Sequence, residues 1–190
     1  LYSQNLFGKL YPASTTKILT AYLIIRYGNL DDIVTVSESA GNPGRDSSVC
    51  GLRTGDQISV RNLLYGLMLE SGNDAAIALA EYYSGSVEAF ADAMNKEALD
   101  IGATQSHFVN PSGYPDENHY TTIYDMYLIT AKAIVLEEFV KIIHTESYDV
   151  EYMDALGNKV SKTWKNTCQY INGNSTAPEG ITVIGGKTGT

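Results

Sequence analysis

Residues 15–27 repeat apolar side chains (Ile18, Leu19, Tyr22, Leu23, Ile25) so densely that a helix formed there is apolar nearly all round, with Pro12 just ahead of it and Gly28 as a stop. A helix without a solvated face must be covered by other elements, so this one is expected at the centre of its domain. It also carries Lys17, and a lysine on such a helix is desolvated, which lowers its pKa. Ser14 precedes Lys17 by three residues, one turn away on the same face. There it sits in the first turn, where free backbone N–H groups and the helix dipole favour developing negative charge. A neutral amine beside a serine hydroxyl can take its proton and make it a nucleophile. An isolated S-x-x-K also suits a helix cap with a solvated lysine; the apolar surroundings of Lys17 weigh against that.

The rest of the chain can supply the cover. Its 190 residues, 44% apolar and 18% charged, are enough for a real core in one domain or two small lobes. A formal charge of −9 excludes a nucleic-acid partner, because no basic face is concentrated anywhere. No apolar run approaches the roughly 20 residues of a membrane span, and the first residues do not have the form of an export signal. Cys50 and Cys168 are too few for a disulfide scaffold and lack metal spacing; they could pair or stay free. His107, His119 and His144 share no ligand spacing either and read as structural or solvated.

A short strand is expected at Ile33–Val36, then a Gly, Ser and Asp-rich loop from Ser37 to Gly55 whose role is open. Ser59 caps a helix through Leu69, and a second helix is expected from about Asp74 to Tyr83. Ser71-Gly72-Asn73 is the break between them, able to present a hydroxyl and an amide into a cleft. By itself S-x-N is a weak signal that also fits an ordinary turn, and Ser3-Gln4-Asn5 matches it too. Helices follow over Val87–Leu99, stopped near Gly102, and over Ile123–Ala133 behind Thr121 and Thr122, with a structured loop from His107 to Tyr120. Residues 148–166 alternate as a hairpin turning at Gly157-Asn158. Ile181–Ile184 is expected as a strand leading into Lys187-Thr188-Gly189-Thr190, which could offer a cation and a hydroxyl to a substrate carboxylate. A phosphate-binding loop is disfavoured there, since the full pattern needs glycine at Pro178 or Ile181.

The order Ser14-Thr15-Thr16-Lys17, Ser71-Gly72-Asn73, Lys187-Thr188-Gly189 resembles the motif set of penicillin-binding proteins and β-lactamases. With Gly55-Asp56-Gln57-Ile58-Ser59-Val60, Asn73-Asp74-Ala75-Ala76 and His107-Phe108-Val109-Asn110-Pro111-Ser112-Gly113, most of the chain is similar to the D-alanyl-D-alanine carboxypeptidases of the low-molecular-mass penicillin-binding protein family.

The resemblance implies an α+β fold: an antiparallel sheet packed on helices with an inserted helical lobe. Residues 1–36 and 146–190 would form the sheet side and 37–145 the mainly helical lobe of one catalytic domain, its sheet incomplete within these residues. It implies Ser14 as nucleophile, Lys17 as base and Ser71 as proton relay. Asn73, Lys187, Thr188 and Gly189 would bind substrate, and the backbone N–H groups of Ser14 and Thr190 would hold the oxyanion. The implied substrate is a peptidoglycan stem peptide ending in D-Ala-D-Ala, with β-lactams as mimics, no metal or cofactor, and a location on the wall-facing side of the bacterial cytoplasmic membrane. Related enzymes continue past the last motif and often carry a membrane anchor, so the natural protein is expected to be longer at both ends, with any membrane association in those segments. Two rivals are a class A-like β-lactamase, disfavoured because no Glu-x-x-Leu-Asn element follows Ser71, and a catalytically idle wall-binding or regulatory module, disfavoured because binding alone does not need a nucleophile with its base.

Overall fold

The apolar stretch forms helix α1, Lys17–Tyr27, entered directly from a 3-10 turn over Ala13–Thr16, and every side chain from Lys17 to Ile24 is buried. The computed structural model describes residues 4–189. Along the chain follow β1 Ile33–Thr35, α2 Glu38–Gly41, β2 Gln57–Ser59, α3 Val60–Leu69, α4 Asn73–Ser84, α5 Val87–Ile101, α6 Ile123–Ala133, α7 Glu137–His144, β3 Ser147–Met153 and β4 Lys159–Lys165. Helix α1 packs against α3, α4, α5, α6 and α7, the surround that an all-round apolar helix requires. Fully burying each of Leu19, Leu23 and Ile24 stabilises the fold by about 1.5–3 kcal/mol.

The helix ends follow their residues. Ser37, Ser59, Ser86 and Thr122 each accept a hydrogen bond from the backbone N–H three residues on, which satisfies an otherwise orphaned donor. Gly102 closes α5 in the left-handed conformation at φ +96°. Gly28 stops α1 for a different reason: its backbone is extended, and a Cβ there would sit 2.7 Å from the Ile24 carbonyl oxygen.

The four strands form one antiparallel sheet in the order β1-β2-β3-β4, and the architecture is α+β. Register runs Ile33 to Ser59 in the first pair, Gln57 to Met153 in the second and Ser147 to Lys165 in the third. Alternation on the hairpin turns Val150, Tyr152 and Trp164 inward, toward α3, where a Cβ on Gly66 would lie 3.2 Å from the Trp164 ring. The hairpin turns at Gly157, φ +80°.

Several elements differ from the sequence expectation. The stretch 37–55 carries the short helix α2 and leads into β2, a three-residue strand too brief for periodicity to reveal. Helix α7 was not anticipated beyond a generally helical region, although Phe139, Ile142 and Ile143 form its buried face. The expected strand at Ile181–Ile184 is absent: the segment has no regular secondary structure, with Ile181 58% and Ile184 47% exposed. An apolar run becomes a strand only by pairing, and no described strand lies in a ladder with it.

Candidate active site

Ser14 sits in the 3-10 turn behind Ala13, whose φ is +47°. Lys17 opens α1, and its Nζ lies 3.0 Å from Ser14 Oγ. The same Nζ donates to the Ser112 carbonyl at 2.7 Å and to Asn73 Oδ1 at 2.8 Å. Burial, reinforced by the nearby charge of Lys187 and opposed by Asp74, brings the Lys17 pKa down to about 7. A neutral amine has two N–H groups and one lone pair. Ser112 O and Asn73 Oδ1 can only accept, so they keep the two N–H groups, and in the neutral form the lone pair faces the Ser14 hydroxyl.

The Ser112 carbonyl is delivered by the loop between α5 and α6. Asn110 Oδ1 accepts the N–H groups of Ser112, Gly113 and Tyr114 at 3.2, 2.8 and 3.0 Å, and Thr20 Oγ1 on α1 donates to Pro111 O at 2.7 Å. Gly113, φ +81°, passes so close to the Ser14 turn that a Cβ would overlap the Ala13 carbonyl. His119 closes the loop from the far side, with Nδ1 accepting from Val109 N–H at 3.1 Å and Nε2 2.8 Å from Thr16 Oγ1. With Nδ1 an acceptor the ring is the neutral Nε2–H tautomer, in keeping with a pKa lowered by burial to about 4.

On the opposite side, Ser71 is buried and left-handed at φ +59°, and Asn73 is the first residue of α4 rather than part of the break. Of the four described non-glycine residues at positive φ, Ala13 and Ser71 flank this site and Asp46 lines the cavity beside it; such strained backbone concentrates at functional sites. Lys187 Nζ donates to Ser71 Oγ at 2.9 Å and to Thr188 O at 2.9 Å, and burial lowers its pKa to about 8. Thr188 Oγ1 is 3.1 Å from Thr167 Oγ1. Gly189 lies against the Ser14 turn, where a Cβ would be 3.0 Å from Thr15 Cγ2 and 3.2 Å from Pro12 O.

Five of the predicted side chains fall into two groups, Ser14, Lys17 and Asn73 around one ammonium and Ser71 with Lys187, whereas the Thr188 hydroxyl meets Thr167 instead. The backbone of Ser71-Gly72-Asn73 joins the two groups. Thr190, expected to contribute a backbone N–H, lies outside the described residues, as does Ser3 of the second S-x-N match.

The loop of open role supports Asn73. Asn73 Nδ2 donates to Ser47 Oγ at 3.1 Å and its backbone N–H to Ser48 O at 2.8 Å. Asp74, buried, accepts from the N–H groups of Cys50, Gly51, Leu52 and Ala75 at 3.0, 2.9, 3.0 and 2.9 Å. Cys50 and Cys168 are free thiols, both buried, and burial pushes the Cys50 thiol well up, with Asp74 adding to it. Sequence reasoning missed Ser47, Asp74 and the Ser112 carbonyl; the Asn-Pro-Ser-Gly turn and the acidic residue after Asn73 were the available signals.

A cavity of about 760 Å³ opens over Ser14 and Asn73 and runs between Arg45 and Asp46 on one side and Tyr114 to Glu117 on the other, with Tyr11 also lining it. Among the described residues no His, Cys, Asp or Glu cluster could hold a metal ion, and no helix is long and apolar enough to cross a membrane.

Fold and site together define a serine acyl-transfer arrangement of the Ser-Lys type. The family model for D-alanyl-D-alanine carboxypeptidase matches residues 1–190. The chain is 38% identical over 160 residues to the D-alanyl-D-alanine carboxypeptidase DacF of Bacillus subtilis (81% of this chain, 41% of the relative) and 42% identical over 140 residues to DacC of Escherichia coli (69% and 35%). The crystal structure of the Streptomyces K15 DD-transpeptidase superposes with a TM-score of 0.90 at 33% identity, covering 100% of this chain and 74% of that one. This chain belongs to the D-alanyl-D-alanine carboxypeptidase family. It spans less than half the length of DacF or DacC.

Proposed function

We propose that the chain carries the acylation centre of a serine-type D-Ala-D-Ala carboxypeptidase that trims peptidoglycan stem peptides. The observation that carries this reading is the buried Lys17 ammonium 3.0 Å from Ser14 Oγ, with its pKa near neutrality.

In its neutral form Lys17 takes the Ser14 proton as Oγ attacks the carbonyl carbon between the two D-alanines. The N–H groups of Ser14 and Thr190 stabilise the oxyanion. Collapse breaks the C–N bond; the proton that Lys17 took passes through the Ser71 hydroxyl, hydrogen-bonded to Lys187, to the leaving nitrogen, so that Lys17 and Ser71 regain their starting forms and D-alanine departs. Water then hydrolyses the Ser14 ester. Asn73 holds the substrate amide, the charged Lys187 with Thr188 binds the terminal carboxylate, and the peptide lies along the backbone of Gly189. β-Lactams, whose strained amide mimics the scissile bond, acylate the same serine and leave it slowly.

The same reading takes residues 1–190 as one catalytic unit, with 1–36 and 146–190 on the sheet side and 37–145 mainly helical, β2 being the described strand that 37–145 contributes. It places the protein outside the cytoplasm, facing the bacterial wall.

Intact mass spectrometry after incubation with benzylpenicillin tests the reading. The wild type is expected to gain one penicilloyl adduct and Ser14→Ala none. A wild type without adduct, or an alanine variant with one, overturns it.

A further inference from the structure

A surface adjoins the Ser14 cavity. Leu10 and Thr121 form an isolated antiparallel bridge, exchanging both backbone hydrogen bonds at 2.9 Å, and at the start of α6 Tyr124 N–H donates to Leu6 O at 3.0 Å. This pairing sets aromatic rings in a row. Tyr11, 65% exposed, lines the cavity. Next to it the Lys9 ammonium lies 3.9 Å over the Tyr120 ring. Beyond, the Phe7 and Tyr124 rings are 5.3 Å apart and Tyr124 and Tyr127 6.3 Å apart. Phe7 and Tyr127 are more than half exposed and Tyr124 is exposed.

We propose that this row is a platform for an uncharged polysaccharide, the glycan strand that carries the stem peptides; the inference rests on the function proposed above. Tilted rings outside the core leave much of their surface open to solvent at Phe7, Tyr124 and Tyr127. A pyranose ring presents a face of C–H groups that packs on such a surface, while the tyrosine hydroxyls can bond the sugar hydroxyls. Tyr11 lines the same cavity as Ser14, so a polymer lying on these rings could carry its peptide into the cavity. Charge disfavours the other polymers and surfaces. The chain carries −9 overall, and the one lysine of the row is placed over a ring, so neither a nucleic acid nor an anionic lipid surface finds the basic cluster it needs.

Titration with the tetramer of β-1,4-linked N-acetylglucosamine, followed by the tyrosine ring protons in NMR, tests this. Saturable shifts are expected. The double variant Tyr124→Ala/Tyr127→Ala should bind roughly tenfold more weakly or worse, as the loss of two ring contacts implies, while Tyr127→Phe, which keeps the ring, stays within about twofold. The absence of saturable shifts, or undiminished binding by the double alanine variant, overturns the proposal. So does binding to phosphatidylglycerol vesicles that the same variant loses, since the row would then be a lipid surface. Ser14→Ala should bind the tetramer like the wild type, so failure of the active-site reading, seen as a missing penicillin adduct, is distinct from failure here.

Discussion

The pH dependence of acylation reads the Lys17 environment directly. With a pKa of about 7, about half of the molecules hold a neutral base at pH 7, against roughly one in three thousand for a lysine at the ordinary value, a gain of about three orders of magnitude. The same difference means that burial and its neighbours disfavour the charged amine by about 5 kcal/mol. In the proposed mechanism Lys187 acts in the opposite protonation state: it would bind a carboxylate only while charged, below about 8. The second-order rate constant for acylation by a fluorescent penicillin, followed by rapid mixing, should therefore rise about tenfold per pH unit below about pH 7, pass a maximum near pH 7.5 and fall above about pH 8. In Lys187→Met the descending limb disappears. The ascending limb moves upward, because the Lys187 charge is the second cause of the lowered Lys17 pKa; the absolute rate drops with the lost carboxylate contact. A rate constant that is flat between about pH 5 and pH 8, or an ascending limb that moves down in Lys187→Met, refutes Lys17 as the base.

Three further outcomes follow from the packing around the site. In Asp74→Asn one carboxylate oxygen becomes an amide donor facing backbone N–H groups now met by Asp74; orphaning two buried donors costs about 3–5 kcal/mol, read as a lowered urea midpoint with an unchanged slope. His119 is neutral in the folded state, so the unfolded chain takes up its proton first: stability should be intact above about pH 6.5, decline by up to about 3 kcal/mol as pH falls to about 4, and level off below, a loss that urea titrations should find removed in His119→Gln. Gly113→Ala combines a left-handed backbone with overlap on the Ala13 carbonyl; it should destabilise the fold by about 3 kcal/mol or more and slow penicillin acylation by displacing the Ser112 carbonyl from Lys17.

Much of this was visible in the chain because it depends on neighbours in sequence. Ile18, Leu19, Leu23 and the residues between them dictate a buried helix whatever surrounds it, and Lys17 is desolvated as a consequence. Ser59, Thr122, Gly102 and Gly157 mark helix and turn boundaries through bonds within a few residues. Ile181–Ile184 shows where such reasoning stops: its composition is that of a strand, but strand formation depends on a partner, which periodicity does not report.

What only the tertiary structure decided is how the reactive groups are held. The Ser112 carbonyl reaches Lys17 across 95 positions and Lys187 reaches Ser71 across 116, distances at which local propensity carries no information. Packing of the 107–120 loop and the 47–52 loop onto α1 and α4 turns a lysine with a short motif into an amine with two acceptors of its own, so that in the neutral form its lone pair is left to face Ser14. The residue types for the proposed chemistry, and the burial of Lys17, were determined by the sequence alone. Their orientation was not, because hydrogen-bond geometry between distant segments exists only once the core has brought those segments together.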